Sequence, residues 1–133
     1  MSLEIAIQPD KVIHPNGDRQ SFSDRWIELA RSRGFETVPV DAYAHDAISR
    51  IAACDAFMWR CTSSAHQRLY ARRLLYALAE GTGMAVYPTL ADAWYFEDKI
   101  AQHDFFAAAG IPTPKTEVFW NRQQAIRFCE TAT

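Results

Sequence analysis

Short runs of β-forming residues alternate with amphipathic stretches over the first two thirds of this chain, and that alternation constrains its fold more than any other feature. Leu3–Gln8 sets Leu, Ile and Ile against Glu and Ala and then meets Pro9, which predicts a first strand. Phe35–Val40 predicts a second, and Pro39 within it marks an edge strand or a strand's end. Asp55–Arg60 predicts a third, apolar on both faces in its middle, as in a central strand covered on both sides. Met84–Tyr87 predicts a fourth, stopped by Pro88, which has no N–H to offer a ladder.

Helical patterns fill the intervals. Ser21 with Asp24 three residues later is a helix-start signal, and Phe22, Trp26, Leu29 and Ala30 then recur on one face until Gly34. Ala47–Ala53 predicts a short helix with Ile48, Ile51 and Ala52 inward, and Ala65–Glu80 a longer one with Ala71, Leu74, Leu75 and Leu78 on one face and Gly81 and Gly83 at its end. Strands alternating with helices over short links imply right-handed crossovers and parallel pairing. The predicted fold class is therefore α/β: a three-layer, Rossmann-like or flavodoxin-like parallel sheet of about four strands with helices on both faces.

Beyond Pro88 the chain continues as two helical pieces, then Gly110-Ile111-Pro112-Thr113-Pro114 and a further strand, Thr116–Trp120. Gly110 suits a left-handed helix end, and the two prolines hold the chain extended. Asn121 with Gln124 opens a last helix that carries Ala125, Ile126, Phe128 and Cys129. Lys99 stands near the start of the helix that Gly110 closes, where a cation opposes the helix dipole; a solvated surface lysine also accounts for it.

This order (strand, Pro88, short helix, Asp98-Lys99, helix, Gly110-Ile111-Pro112-Thr113-Pro114, strand) resembles the N-terminal part of ATP-grasp enzymes, which are carboxylate–amine and carboxylate–thiol ligases. The nearest likeness is to the ATP-grasp proteins of bacterial surface-polysaccharide loci. The likeness is loose over the whole chain and good from Val86 to Phe119. It implies a pre-ATP-grasp domain over residues 1–112 and the first strand and helix of the following subdomain over residues 113–133. It also implies that the lysine at position 99 reaches toward ATP phosphates. The adenine pocket, a second phosphate lysine and the Mg²⁺ carboxylates of the family belong to subdomains beyond Thr133. By this resemblance the chain is an incomplete ligase, inactive alone, whose whole enzyme uses ATP and Mg²⁺ on a small-molecule carboxylate.

Ligands of open parallel sheets bind beyond the carboxyl ends of the strands. Four loops qualify here: Pro9–Gln20, Asp41–Asp46, Cys61–Ser64 and Pro88–Ala91. In the first, His14, Asn16, Asp18 and Arg19 offer charges, an amide and a titratable ring. The resemblance makes this loop part of the acceptor-substrate pocket, and an ordinary polar turn accounts for it equally. In the third, Arg60, Thr62, Ser63 and Ser64 precede a helix start, a combination that holds a carboxylate or phosphate or simply caps the helix. His66 stands beside them.

Composition narrows the remaining classes. A chain that is 49% apolar and 13% aromatic can bury a core. A net charge of −2 with mixed signs argues against nucleic acid or an anionic membrane as partner. No apolar run approaches a membrane span, and a soluble, cytoplasmic protein is expected. Three cysteines with no CxxC pair form neither a disulfide framework nor a zinc pattern, and no metal site is expected from the scattered histidines. GxGxxG, GxxxxGK[ST] and GxSxG are all missing. The alternative to a ligase piece is a stand-alone flavodoxin-like module that binds a small molecule or a protein without catalysis. If the chain is a piece, the helix after Asn121 should show apolar surface, or bury it in a homodimer.

Overall fold

The computed structural model describes residues 2–10, 12–13, 15–17, 19–61 and 64–132. Among these the elements run β1 (Glu4–Ile7), β2 (Val12–Ile13), β3 (Arg19–Gln20), α1 (Phe22–Ser32), β4 (Glu36–Pro39), α2 (Ala47–Ala52), β5 (Ala56–Met58), α3 (Ala65–Thr82), β6 (Ala85–Tyr87), α4 (Leu90–Ala93), α5 (Lys99–Ala108) and α6 (Arg122–Thr131). The main sheet is parallel, in the order β4-β1-β5-β6. All four strands expected before Pro88 are present, and β4, which carries Pro39, is an edge strand where a missing N–H is tolerated.

Register explains how the sheet is covered. Ala6 is opposite both Val38 and Phe57, and Phe57 is opposite Val86, so these residues form one row across the sheet. They belong to one core cluster with Ala47 and Ile51 of α2 and Ala71, Leu74, Leu75 and Leu78 of α3. The alternate row, Ile7, Pro39, Met58 and Tyr87, points to the other face, where Trp26 of α1 meets Tyr87 edge-on at 5.6 Å. The molecule is thus α/β with helices on both faces of a four-stranded parallel sheet, as predicted.

Helix boundaries follow their capping chemistry. Ser21 Oγ accepts from Asp24 N at 3.0 Å, Ser64 Oγ from Gln67 N at 3.3 Å, Asp98 Oδ1 from Ala101 N at 3.0 Å, and Asn121 Oδ1 from Gln123 N at 2.8 Å. α3 runs through Gly81 and stops at Gly83, whose φ of 72° is the left-handed conformation that closes a helix.

Four expectations need correction. Ile48 and Ala52 of α2 are exposed, because a helix of six residues turns only Ala47 and Ile51, one turn apart, onto the sheet. The inward side of α1 is Ser23, Trp26, Ile27 and Ala30, leaving Phe22 and Leu29 at its exposed margins. The first loop contains a small antiparallel hairpin, β2 with β3, rather than an unbroken turn. Finally, no strand forms at Thr116–Trp120, since residues 111–119 have no ladder partner and an isolated strand would leave its backbone groups unpaired.

The chain divides into two compact units, Met1–Trp94 and Tyr95–Thr133. α4 belongs to the first unit through Arg72 of α3, whose Nε donates to Ala93 O at 3.4 Å and whose Nη2 donates to Trp94 O. The first unit owns the sheet and its core. The second holds α5 and α6, neither of which contains a buried residue. Within it, Tyr95 stacks on Phe105 at 5.5 Å and Phe119 lies against Phe128 at 5.2 Å. No helix among the described residues is long and apolar enough to cross a membrane.

Candidate functional site at the carboxyl edge of the sheet

In the order β4-β1-β5-β6, the connections leaving β1 and β5 run to opposite sides of the sheet. Their carboxyl ends therefore flank a crevice, the usual place for a ligand in this architecture. The residues that emerge there are Gln8, Pro9 and Asp10 after β1, and Trp59, Arg60 and Cys61 after β5.

Asp10 is the most heavily bonded of them. Its Oδ1 accepts from Ser23 N at 2.7 Å and Ser21 Oγ at 3.1 Å, and its Oδ2 accepts from Phe22 N at 3.4 Å. Its own N–H donates to Ser23 Oγ at 2.9 Å. The carboxylate thus sits on the first turn of α1, where unpaired N–H groups and the helix dipole favour an anion. Burial acts to raise its pKa but is outweighed by the Ser23, Ser21 and Phe22 donors, so the carboxyl titrates below its ordinary value.

Arg60 closes the arrangement. Its Nη1 lies 3.5 Å from Asp10 Oδ2, and its guanidinium carbon is 4.2 Å from the centroid of the Phe22 ring. Its side chain is 41% exposed, against 11% for Asp10, so the guanidinium keeps donors facing solvent while one edge is held. Beside it, the Cys61 thiol is half-buried; burial raises its pKa against the opposing pull of Arg68, Arg72 and Arg60.

An aromatic group lies on the α2–α3 side of the same edge. Trp59 is buried and meets Tyr43 edge-on at 5.7 Å and Tyr70 at 5.8 Å, while Tyr43 and Tyr70 stack at 5.2 Å. Tyr70 Oη donates to Ala42 O at 2.6 Å, which fixes the ring. Burial, followed by the Tyr70 hydroxyl, raises the Tyr43 pKa, and a hydrogen bond with Gln67 partly offsets this.

The residues singled out from the sequence are distributed as follows. Arg60 is at the crevice. His14, Thr62 and Ser63 lie outside the described residues, as does the side chain of Arg19 in β3. Asn16 is exposed at the tip of the hairpin, whose two ends are drawn together beside Arg60 by the Asp10–Ser21 contact. Lys99 is the first residue of α5, exposed, with Nζ donating to Gln102 Oε1 at 3.1 Å. Asp10, Ser23, Tyr43 and Tyr70 were not foreseen. For Asp10 a signal existed: a charged residue directly after a strand-ending proline at the carboxyl end of β1. For the two tyrosines there was none, since they are 27 residues apart and meet only through the fold. No cluster of three or more metal-ligating side chains occurs among the described residues. No family model, curated protein or solved structure matches the chain.

Proposed function

We propose that this chain is the N-terminal, substrate-side domain of an ATP-dependent ligase that joins a carboxylate to an amine or related nucleophile through an acylphosphate. The observation that carries this reading is Arg60, a guanidinium beside Asp10 and over the Phe22 ring, with 41% of its side chain exposed, at the carboxyl edge of a parallel sheet. A planar fork held in this way is suited to pairing with a small carboxylate. A second support is the resemblance of Asp98-Lys99 and Gly110-Ile111-Pro112-Thr113-Pro114 to the ATP-grasp family, although the strand expected after them is not formed.

In this reading Arg60, with Asn16 and Arg19 of the hairpin, orients the acceptor substrate, and Lys99 approaches the phosphates of ATP. The described residues do not fit a Mg²⁺ site, so the metal would be held elsewhere in the enzyme. The chemistry is a two-step exchange. A carboxylate oxygen attacks the γ-phosphorus and ADP leaves; the nucleophile then attacks the acyl carbon and expels phosphate. Hydroxylamine trapping tests this in the product of the native gene. ATP with a panel of amino acids and hydroxy acids should give hydroxamate and ADP in equal amounts. ATP consumption with no hydroxamate, or no consumption at all, would overturn the acylphosphate.

A binding module without catalysis is the second reading, favoured by one fact: residues of the first unit close a core of their own around the sheet. Saturable small-molecule binding without ATP turnover would select it.

A further inference from the structure

On the exposed side of α3, His66, Leu69, Tyr70 and Arg73 fall at i, i+3, i+4 and i+7, which places them on one stripe of the helix. Tyr43, from the loop after β4, leans over this stripe, and the five residues line an open depression of about 410 Å³. The walls are aromatic and aliphatic: Tyr43 is 46% exposed and Leu69 51%, both high for large apolar side chains. Their exposure is built in rather than loose, because Tyr43 is stacked on Tyr70 and Tyr70 is pinned to Ala42. Two basic groups stand at the rim. Neither Arg73 nor His66 makes a hydrogen bond or ion pair with a described residue. The lining of the depression shares no side chain with the Asp10–Arg60 pair, although Tyr43 and Tyr70 rest on Trp59, the residue before Arg60.

We infer that this depression is a second binding site, for a small anion with a flat apolar face such as an aromatic carboxylate or aryl phosphate. A stacked tyrosine pair offers a surface for a planar group, and an arginine with no carboxylate partner among the described residues offers charge-assisted hydrogen bonds to the anionic end. The inference stands independently of the proposed ligase activity, since it uses none of the same side chains.

Amide and indole NMR of the full chain, titrated with benzoate and with phenyl phosphate, tests it. The expected result is saturable shifts at Tyr43, His66, Tyr70 and Arg73 and at the Trp59 indole behind the tyrosines. Acetate and benzyl alcohol, which carry only the charge or only the ring, should bind much more weakly. Arg73→Gln should weaken the aromatic anion about tenfold, the loss of one charge-assisted contact, with the far-UV circular dichroism unchanged. Equal shifts with benzyl alcohol, or no effect of Arg73→Gln in a folded variant, would overturn the inference. So would shifts of the same resonances with protein concentration alone, which would make the stripe a self-association surface.

Discussion

Arg60 reaches back across the crevice to within 3.5 Å of Asp10, and Asp10 in turn is anchored on the first turn of α1 by the backbone of Ser23. A negative charge from the chain itself thus takes the position that a bound anion occupies in many doubly wound folds. What remains available to a ligand is the outer edge of Arg60, so the selectivity of the crevice should reside in that guanidinium rather than in the helix end.

Replacing Asp10 with Asn should destabilise the protein by about 1–2 kcal/mol at neutral pH, the range for losing a helix-cap or charged hydrogen bond. The sign of the pH dependence follows from the lowered pKa. A carboxyl whose folded value lies below its unfolded one adds stability above the unfolded value, and this is lost as pH falls through about 4 and on toward the folded value. The gap between wild type and Asp10→Asn in urea denaturation should therefore narrow on acidification from pH 7 to pH 3. A gap independent of pH would mean that the Asp10 charge contributes nothing.

The fold was legible in the sequence where one physical signal acted alone. Pro39 announced an edge strand or a strand's end, and β4 is both; Ser21 with Asp24 announced α1, and Asn121 with Gln124 announced α6, because capping and ladder chemistry are local. The signals that misled were those that require a neighbour. Thr116–Trp120 has the composition of a strand, but a strand exists only with a partner, and none is offered within its unit. Ile48 fits a helical apolar face, yet the six-residue α2 buries only Ala47 and the equally expected Ile51. The candidate site divides in the same way. Arg60 was singled out because it ends a predicted strand just before a helix start, whereas the Tyr43–Tyr70 pair arises from packing between distant segments and leaves no trace in spacing.

Burial separates residues that look alike in composition, and substitution should expose the difference. Leu75 is fully buried in the cluster between α3 and the sheet, so Leu75→Ala should cost about 2–5 kcal/mol. Trp120 is 84% exposed, and Trp120→Ala should change stability by less than about 0.5 kcal/mol. Chemical denaturation monitored by far-UV circular dichroism checks both. A large loss at Trp120 would show that its ring is covered in solution, by another copy of the chain or by another part of a longer one.

The three thiols should differ in reactivity. Cys54 and Cys61 are each partly buried, and burial is the leading cause of the rise in both pKa values. Less thiolate is then present at neutral pH, and the thiolate is the nucleophile. Cys129 is exposed on α6. Iodoacetamide at pH 7.5 should label Cys129 first, with Cys54 and Cys61 following only on prolonged exposure or in denaturant, as read by peptide mass spectrometry. Early labelling of Cys61 would mean that the neighbouring arginines outweigh its burial.

Asp98 and Lys99 are adjacent at the start of α5 but should fail in different ways. Asp98 Oδ1 holds the Ala101 N–H at 3.0 Å, so Asp98→Ala removes the cap and should destabilise α5 by about 1 kcal/mol. Lys99 is exposed, and its one described bond is to the Gln102 side chain three residues along the same helix, a pairing worth about 0.2–0.5 kcal/mol. Moreover, its charge opposes the helix dipole, so Lys99→Ala should leave stability nearly unchanged or raise it slightly. If the ligase reading holds, the same substitution in the native gene product should weaken ATP binding while the carboxylate still binds. Calorimetric titration of nucleotide and of substrate on the two variants separates the roles: unchanged nucleotide affinity in Lys99→Ala, with Asp98→Ala destabilised as expected, would leave Asp98 as a cap and remove Lys99 from the site.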